Sequence, residues 1–166
     1  MLLNRIPVSG QRGVTLIEAL ITVVILSMAA LGYAALQLRG LSTNAGAMWR
    51  SKATVLAAEA GDRLRANAAG VAAGHYNALL APGTAPTCTL ASPCTIAQIA
   101  ALDFAAWRLS LAQALPEGSG VICLDATSND GQLDAPACDG SGTQLAVKVF
   151  WRERGVHARL VQVVRP

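Results

Sequence analysis

The sequence predicts an α+β protein in which a long N-terminal helix, apolar in its first half, packs through its second half on a small antiparallel sheet. Three observations predict it. From Ala19 to Leu38 the chain carries no charged residue. No proline occurs between Val14 and Ala69. Beyond Gly118, short apolar and alternating segments are separated by turn-forming residues, the pattern of strands.

The uncharged run holds 20 residues. At about 1.5 Å per residue a helix of that length covers ~30 Å, the thickness of bilayer hydrocarbon. A buried core helix fits less well, because core helices keep a polar face. With only one such run, multi-span transporters and channels are excluded. The segment continues to Ala69 in residues that favour helix, so a single helix of about 55 residues is expected. In its second half Leu41, Met48 and Val55 recur at sevenfold spacing, and Leu56, Ala60 and Leu64 widen the apolar strip. Lys52 interrupts that strip, and Glu59 and Arg63 can pair one turn apart. Gly32, Gly40, Gly46 and Gly61 weaken the helix and read as points of close packing rather than as hinges.

Residues 69–93, rich in Ala, Gly, Pro and Thr, read as a loop. A second helix is expected over about 95–115, capped by Thr95 and ended by Pro116 and Gly118. Ile96, Ile99, Leu102, Trp107, Leu111 and Leu115 form its apolar side, with Trp107 as a core anchor. Strands follow at 121–124, 144–151 and 156–164. Leu145, Val147, Val149 and Trp151 share one face of the middle strand, and Gln144, Ala146, Lys148 and Phe150 the other. Arg152 to Gly155 supply a turn that makes the last two strands a hairpin.

Composition agrees with a membrane-associated chain. The 166 residues are 53% hydrophobic and 14% charged, with a mean hydropathy of +0.43. An ordinary soluble domain carries roughly 25% charged residues. The formal charge of +3 comes from scattered Lys and Arg, so no nucleic-acid partner is expected. All four cysteines, Cys88, Cys94, Cys123 and Cys138, follow the apolar run, which points to disulfides in an oxidising compartment. Neither pair has the short spacing of a zinc site, so no metal is expected. Of the three pairings, 88–94 with 123–138 is favoured because each closes a local loop. The globular part, about 95 residues long, has a core small enough for two disulfides to matter.

Ahead of the apolar run stands a short polar segment ending at Gly13. A secretory signal would place its small-residue cleavage site after the apolar stretch, not before it. Glu18 sits four residues into the apolar segment, where an ionised carboxylate costs on the order of 2.5–3.5 kcal/mol. A plain signal anchor has no use for it. Cleavage after Gly13 would create a cation, the α-amino group of Val14, on the same helical face one turn away. Glu18 can then pair with its own amine or with that of an adjacent copy.

The run Gly13-Val14-Thr15-Leu16-Ile17-Glu18, followed by an uncharged stretch, resembles the class III leader of type IV prepilins and pseudopilins. The resemblance implies cleavage between Gly13 and Val14 by a prepilin peptidase, N-methylation of Val14, and a role for Glu18 in docking the subunit into a filament. Val14 stands where that family usually has Phe or Met. It divides the chain into a leader (1–13), a transmembrane and filament-core half-helix (14–38), an amphipathic half-helix (39–69) and a globular head (70–166). Loss of the leader, with Arg5 and Arg12, leaves 153 residues and lowers the formal charge from +3 to +1. The stretches Leu115-Pro116-Glu117-Gly118, Gly120 to Cys123 and Leu145 to Trp151 are similar to the C-terminal pattern of PilV-type minor pilins.

That resemblance implies a type IV pilin-like fold and a priming subunit that supports pilus assembly, twitching motility and adhesion. Its partners would be the prepilin peptidase, other minor pilins, the major pilin and a tip adhesin. The chain would cross the inner membrane once before assembly, with its head periplasmic, and then become part of the extracellular pilus. A minor pseudopilin of a type II secretion system shares the same first 70 residues, and a membrane-anchored binding module is a further alternative. No nucleophile motif, zinc motif or phosphate loop occurs, so neither catalysis nor a cofactor is expected. The acids between Asp125 and Asp134 have the look of a calcium loop, but Gly131 falls one place late and no closing glutamate follows. The segment therefore reads as a solvated polar turn.

Overall fold

The computed structural model describes Gly13 and residues 15–165; residues 1–12 of the expected leader and Val14, the expected first residue of the mature chain, lie outside the described residues. The chain falls into two compact units, one ending at Asn44 and the other beginning at Ala45. Helix α1, Leu16–Ala66, contributes to both. In the first unit every residue from Leu16 to Leu41 is exposed, including the apolar side chains that circle the helix.

The second unit carries the remaining elements: α2 (Ala68–Ala72), β1 (Ala78–Leu79), α3 (Ile96–Ala114), β2 (Ser119–Leu124), β3 (Leu145–Glu153) and β4 (Val156–Val164). The sheet is antiparallel throughout, in the order β1-β2-β3-β4, with Ile122 opposite Val147 and Lys148 opposite Val161. Thr95 and Gln98 close both halves of a capping box at the start of α3. β1 is too short to leave an alternating pattern in the sequence.

The expected 55-residue helix is interrupted at Asn67. Its amide Nδ2 donates to Tyr76 Oη at 3.0 Å and to the Ile96 carbonyl at 2.9 Å, while Oδ1 accepts from Gly70 N at 3.2 Å. These side-chain bonds accompany a one-residue break across which Asn67 N still donates to the Arg63 carbonyl and the Asn67 carbonyl still accepts from Val71 N, and Asn67 becomes the cap of α2.

The core lies between the helices and one face of the sheet. Ala53, Ala57, Ala60 and Leu64 of α1 meet Phe104, Trp107 and Leu111 of α3, with Ile122, Leu145, Val147, Val149 and Trp151 beneath them. Trp107 is fully buried, and its Nε1 donates to the Leu56 carbonyl of α1 at 2.8 Å. Gly120 lies under that indole, where a Cβ would collide with the ring and with Leu111.

The buried face of α1 differs from the expected one. Leu41, Met48 and Val55 are 65%, 46% and 68% exposed. Ala60 and Leu64 are buried as expected, but Ala53 and Ala57 take the place of Leu41, Met48 and Val55, because small side chains let the backbone approach the broad Trp107 and Phe104. Gly46 and Gly61 do pack closely, against Glu153 and Gln162, whereas nothing in the structure crowds Gly32 or Gly40.

β3 is buried from Leu145 to Trp151 on both faces. The second face is covered by the segment between β2 and β3, where Leu133 and Cys138 pack on Val121, Cys123 and Phe150. Cys88 is bonded to Cys94, and Cys123 to Cys138, with Cα separations of 5.2 and 6.1 Å.

Candidate functional site

The start of α1 is built by Thr15. Its Oγ1 accepts from Glu18 N at 3.3 Å, and its carbonyl accepts from Ala19 N at 3.1 Å. Thr15 and Glu18 therefore stand at the two positions of a capping-box sequence, Thr-x-x-Glu. The acid in the first turn also faces the positive end of the helix dipole. Gly13 precedes this cap, outside the helix and exposed, with open space around it. Val14 is outside the described residues, so the expected amine–carboxylate pair is not seen.

On both sides of Glu18, α1 shows large apolar side chains around its circumference. Leu16, Leu26, Met28, Leu31 and Leu36 are each at least 70% exposed. Among the described residues α1 is the one helix long and apolar enough to cross a membrane. A surface this apolar on all sides calls for burial in lipid or in other protein.

At the other end of the chain the segment from Asp125 to Cys138 encloses a buried lysine. Lys148 projects from β3 with its side chain wholly buried, and Nζ lies 2.5 Å from Asp125 Oδ2. That contact is an ion pair without the alignment of a hydrogen bond. The ammonium donates to Asp130 Oδ1 at 2.7 Å, to the Pro136 carbonyl at 3.0 Å and to the Ala137 carbonyl at 2.9 Å. Lys148 holds the Asp130 carboxyl below the usual carboxylate range, chiefly through that hydrogen bond. Backbone N–H donors from Ser141 and Ala126 do the same for Asp139.

This arrangement corrects the expectation of a solvated turn. Asp125 is 3% exposed, and the loop collects oxygen atoms around a positive charge supplied by the protein itself. Asp134 is exposed and stands outside the cage. Gly131, at φ 84°, permits a turn in which a Cβ would strike the Pro136 carbonyl. Ala137 adopts φ 54°, a left-handed conformation that disfavours an alanine. Cys123, Asp125 and Cys138 also converge, but both sulfurs are bonded to each other and the carboxylate faces Lys148, so the trio has no donor set for a metal.

A third polar cluster joins the end of α1 to α3. Arg63 pairs with Glu59 at 2.7 Å and Asp103 at 3.1 Å, and Tyr76 Oη donates to Asp103 Oδ2 at 3.1 Å. Burial, more than any neighbour, pushes the Tyr76 hydroxyl up to about 12. The Glu59–Arg63 pair was visible in the sequence; the contribution of Asp103, 40 residues away, carried no local signal.

Compared with known families, residues 8–34 match the prokaryotic N-terminal methylation motif, and residues 35–105 match the family of type IV pilin Tt1218. The two matches adjoin and together cover residues 8–105. No curated protein and no solved structure matches the chain.

Proposed function

Given that the chain is a type IV pilin, we propose that it serves as a minor pilin, a priming subunit of the pilus that supports twitching motility and adhesion. The observation that carries this reading is the first unit of the structure. A capped helix start, an acid in its first turn and an apolar surface on all sides make a rod that is unsuited to water and suited to two successive environments. The first is the bilayer of the inner membrane, where α1 anchors the chain once. The second is a filament, where helices of neighbouring copies replace lipid.

In this reading a prepilin peptidase cuts between Gly13 and Val14 and Val14 becomes the methylated terminus. Glu18 then meets the amine of Val14, in its own copy or the next, so that neither charge is left alone in an apolar medium. The head, residues 70–166, faces the periplasm before assembly and the outside of the pilus afterwards. The similarity of Leu115 to Gly118 and of Leu145 to Trp151 to PilV-type sequences supports the minor rather than the major subunit. Its partners are then other minor pilins, the major pilin and a tip adhesin. The role is structural, with no chemical step.

Deletion of the gene tests the assignment. Loss or marked reduction of surface pili and twitching, with exoprotein release unchanged, is the expected outcome. Normal pili with impaired release would identify a pseudopilin of a type II secretion system instead. Retention of both phenotypes would leave only a membrane-anchored binding module.

A further inference from the structure

The tip of the β3–β4 hairpin carries a combination of features that the filament role does not use. Its two turn residues, Arg154 and Gly155, have φ of 52° and 79°. Two consecutive positive φ values suit Asn-Gly or Asp-Gly, and an arginine in the first position is conformationally disfavoured. Arg154 is exposed, and the next side chain after the turn, Val156, is 68% exposed. His157 is exposed beside it, and Arg50 of α1 reaches the same cleft with its side chain 68% exposed.

Opposite charge at this tip is scarce. Arg152 is paired with Glu117 at 2.8 Å, while Arg50 Nε stays 3.8 Å from Glu153. Arg159 donates only to the neutral carbonyls of Gly131 and Asn129. Four guanidinium groups thus face three carboxylates, of which Glu153 is turned inward onto Gly46 and Asp130, beside Arg159, is held by Lys148. An exposed valine among arginines is the composition of a surface that meets a charged interface with an apolar layer beneath it.

The covalent chain limits where this tip can be. Gly46, which Glu153 touches, comes eight residues after Leu38, the last residue of the apolar run. Eight residues span at most ~29 Å even when fully extended. If α1 crosses a bilayer, the hairpin anchor stays within that distance of the headgroups.

We propose that, before assembly, the hairpin tip rests on anionic phospholipid headgroups of the same bilayer that α1 crosses. The inference stands on the membrane-anchored stage of the proposed function. While Arg50 stays beside Glu153 and Arg159 on the carbonyls of Gly131 and Asn129, Arg154, with a planar donor fork suited to the task, binds the phosphates of adjacent lipids. Val156 enters the interfacial layer between them. Entry into a filament then requires these contacts to be released, so the lipid surface competes with assembly.

Hydrogen exchange of the full chain in lipid nanodiscs tests this. Turn amides at Arg154 to Val156 should exchange about fivefold more slowly in phosphatidylglycerol-containing discs than in pure phosphatidylcholine, the scale expected for one basic residue at an anionic surface. Salt at about 0.5 M should abolish the difference. Arg154→Asn, which suits the turn better than arginine and so preserves the hairpin, should also abolish it, whereas Arg154→Lys should retain most of it. Equal exchange in the two lipids, or protection that survives Arg154→Asn, would overturn the inference while α1 remains inserted. Failure of the chain to insert at all would overturn the membrane stage itself, and the inference with it.

Discussion

The ammonium of Lys148 lies 2.5 Å from the carboxylate of Asp125, and both side chains are wholly buried. This pair is the centre of a cage that ties the covering loop to β3. Its acids are contributed by the loop and its cation by the strand, so the loop cannot lift without exposing an unpaired charge. The Cys123–Cys138 bond holds the same segment at its ends.

Replacing Lys148 by Met keeps the volume and removes the charge. Asp125 is then buried without a counter-ion, and the expected cost is about 3–5 kcal/mol. Urea unfolding of the non-reduced protein measures it. The double variant Lys148→Met with Asp125→Asn should recover part of the loss, because the orphan charge is gone. A single variant as stable as the parent would show that the cage is not a closure.

Tyr76 supplies a pH dependence with a definite sign. Its folded value, pushed up to about 12, exceeds the ordinary tyrosine value of 10.0. The stabilisation is therefore complete below pH ~10 and is lost as pH rises through ~12. The phenolate absorbance of Tyr76 should appear near pH 12. Titration of Tyr76→Phe should lack that late component; its persistence would contradict the assignment.

Gly120 tests the packing of α3 on the sheet. Gly120→Ala places a Cβ into the Trp107 ring, the Leu111 side chain and the Lys148 carbonyl. Overpacking of this kind costs about 1–3 kcal/mol. Thermal unfolding should show a lower midpoint, with Trp107 fluorescence shifted to longer wavelength. An unchanged midpoint would mean that the helix and strand are not in contact there.

Glu18→Gln separates two roles of one residue. Glutamine is accepted at its position in a capping box, so the start of α1 should persist. The charge that meets the Val14 amine is lost. Peptidase cleavage should continue, while the amount of protein recovered in sheared pili should fall by more than about tenfold, the scale of an unpaired charge in an apolar medium. Equal recovery in pili would contradict the pairing.

Much of the architecture is visible in local residue patterns, and the exceptions have physical causes. Thr95 and Gln98 mark the start of α3, and Pro116 follows its end, because caps and prolines act within a few residues. The hairpin is also legible, but its turn, expected over Arg152 to Gly155, narrows to Arg154–Gly155 because Arg152 and Glu153 continue β3. Asn67 gives no such warning, since its hydrogen-bond partners Tyr76 and Ile96 lie 9 and 29 residues away. Hydropathy favours Leu41, Met48 and Val55 over alanine, yet Trp107 needs the smaller side chains to reach the α1 backbone. Lys148 has the same explanation: its alternation places it opposite the core, and only folding shows that the loop from Asp125 covers that face. At the N-terminus the motif singles out Gly13 and Glu18, whereas the cap formed by Thr15 emerges only from the structure.

The identity of the first residue of the mature chain decides the account. Mass spectrometry of the protein taken from native membranes and from sheared pili should find a terminus at Val14, carrying one methyl group. A chain that still begins with the 13 residues ending at Gly13 would have no amine for Glu18 to meet, and the filament role would fall with it.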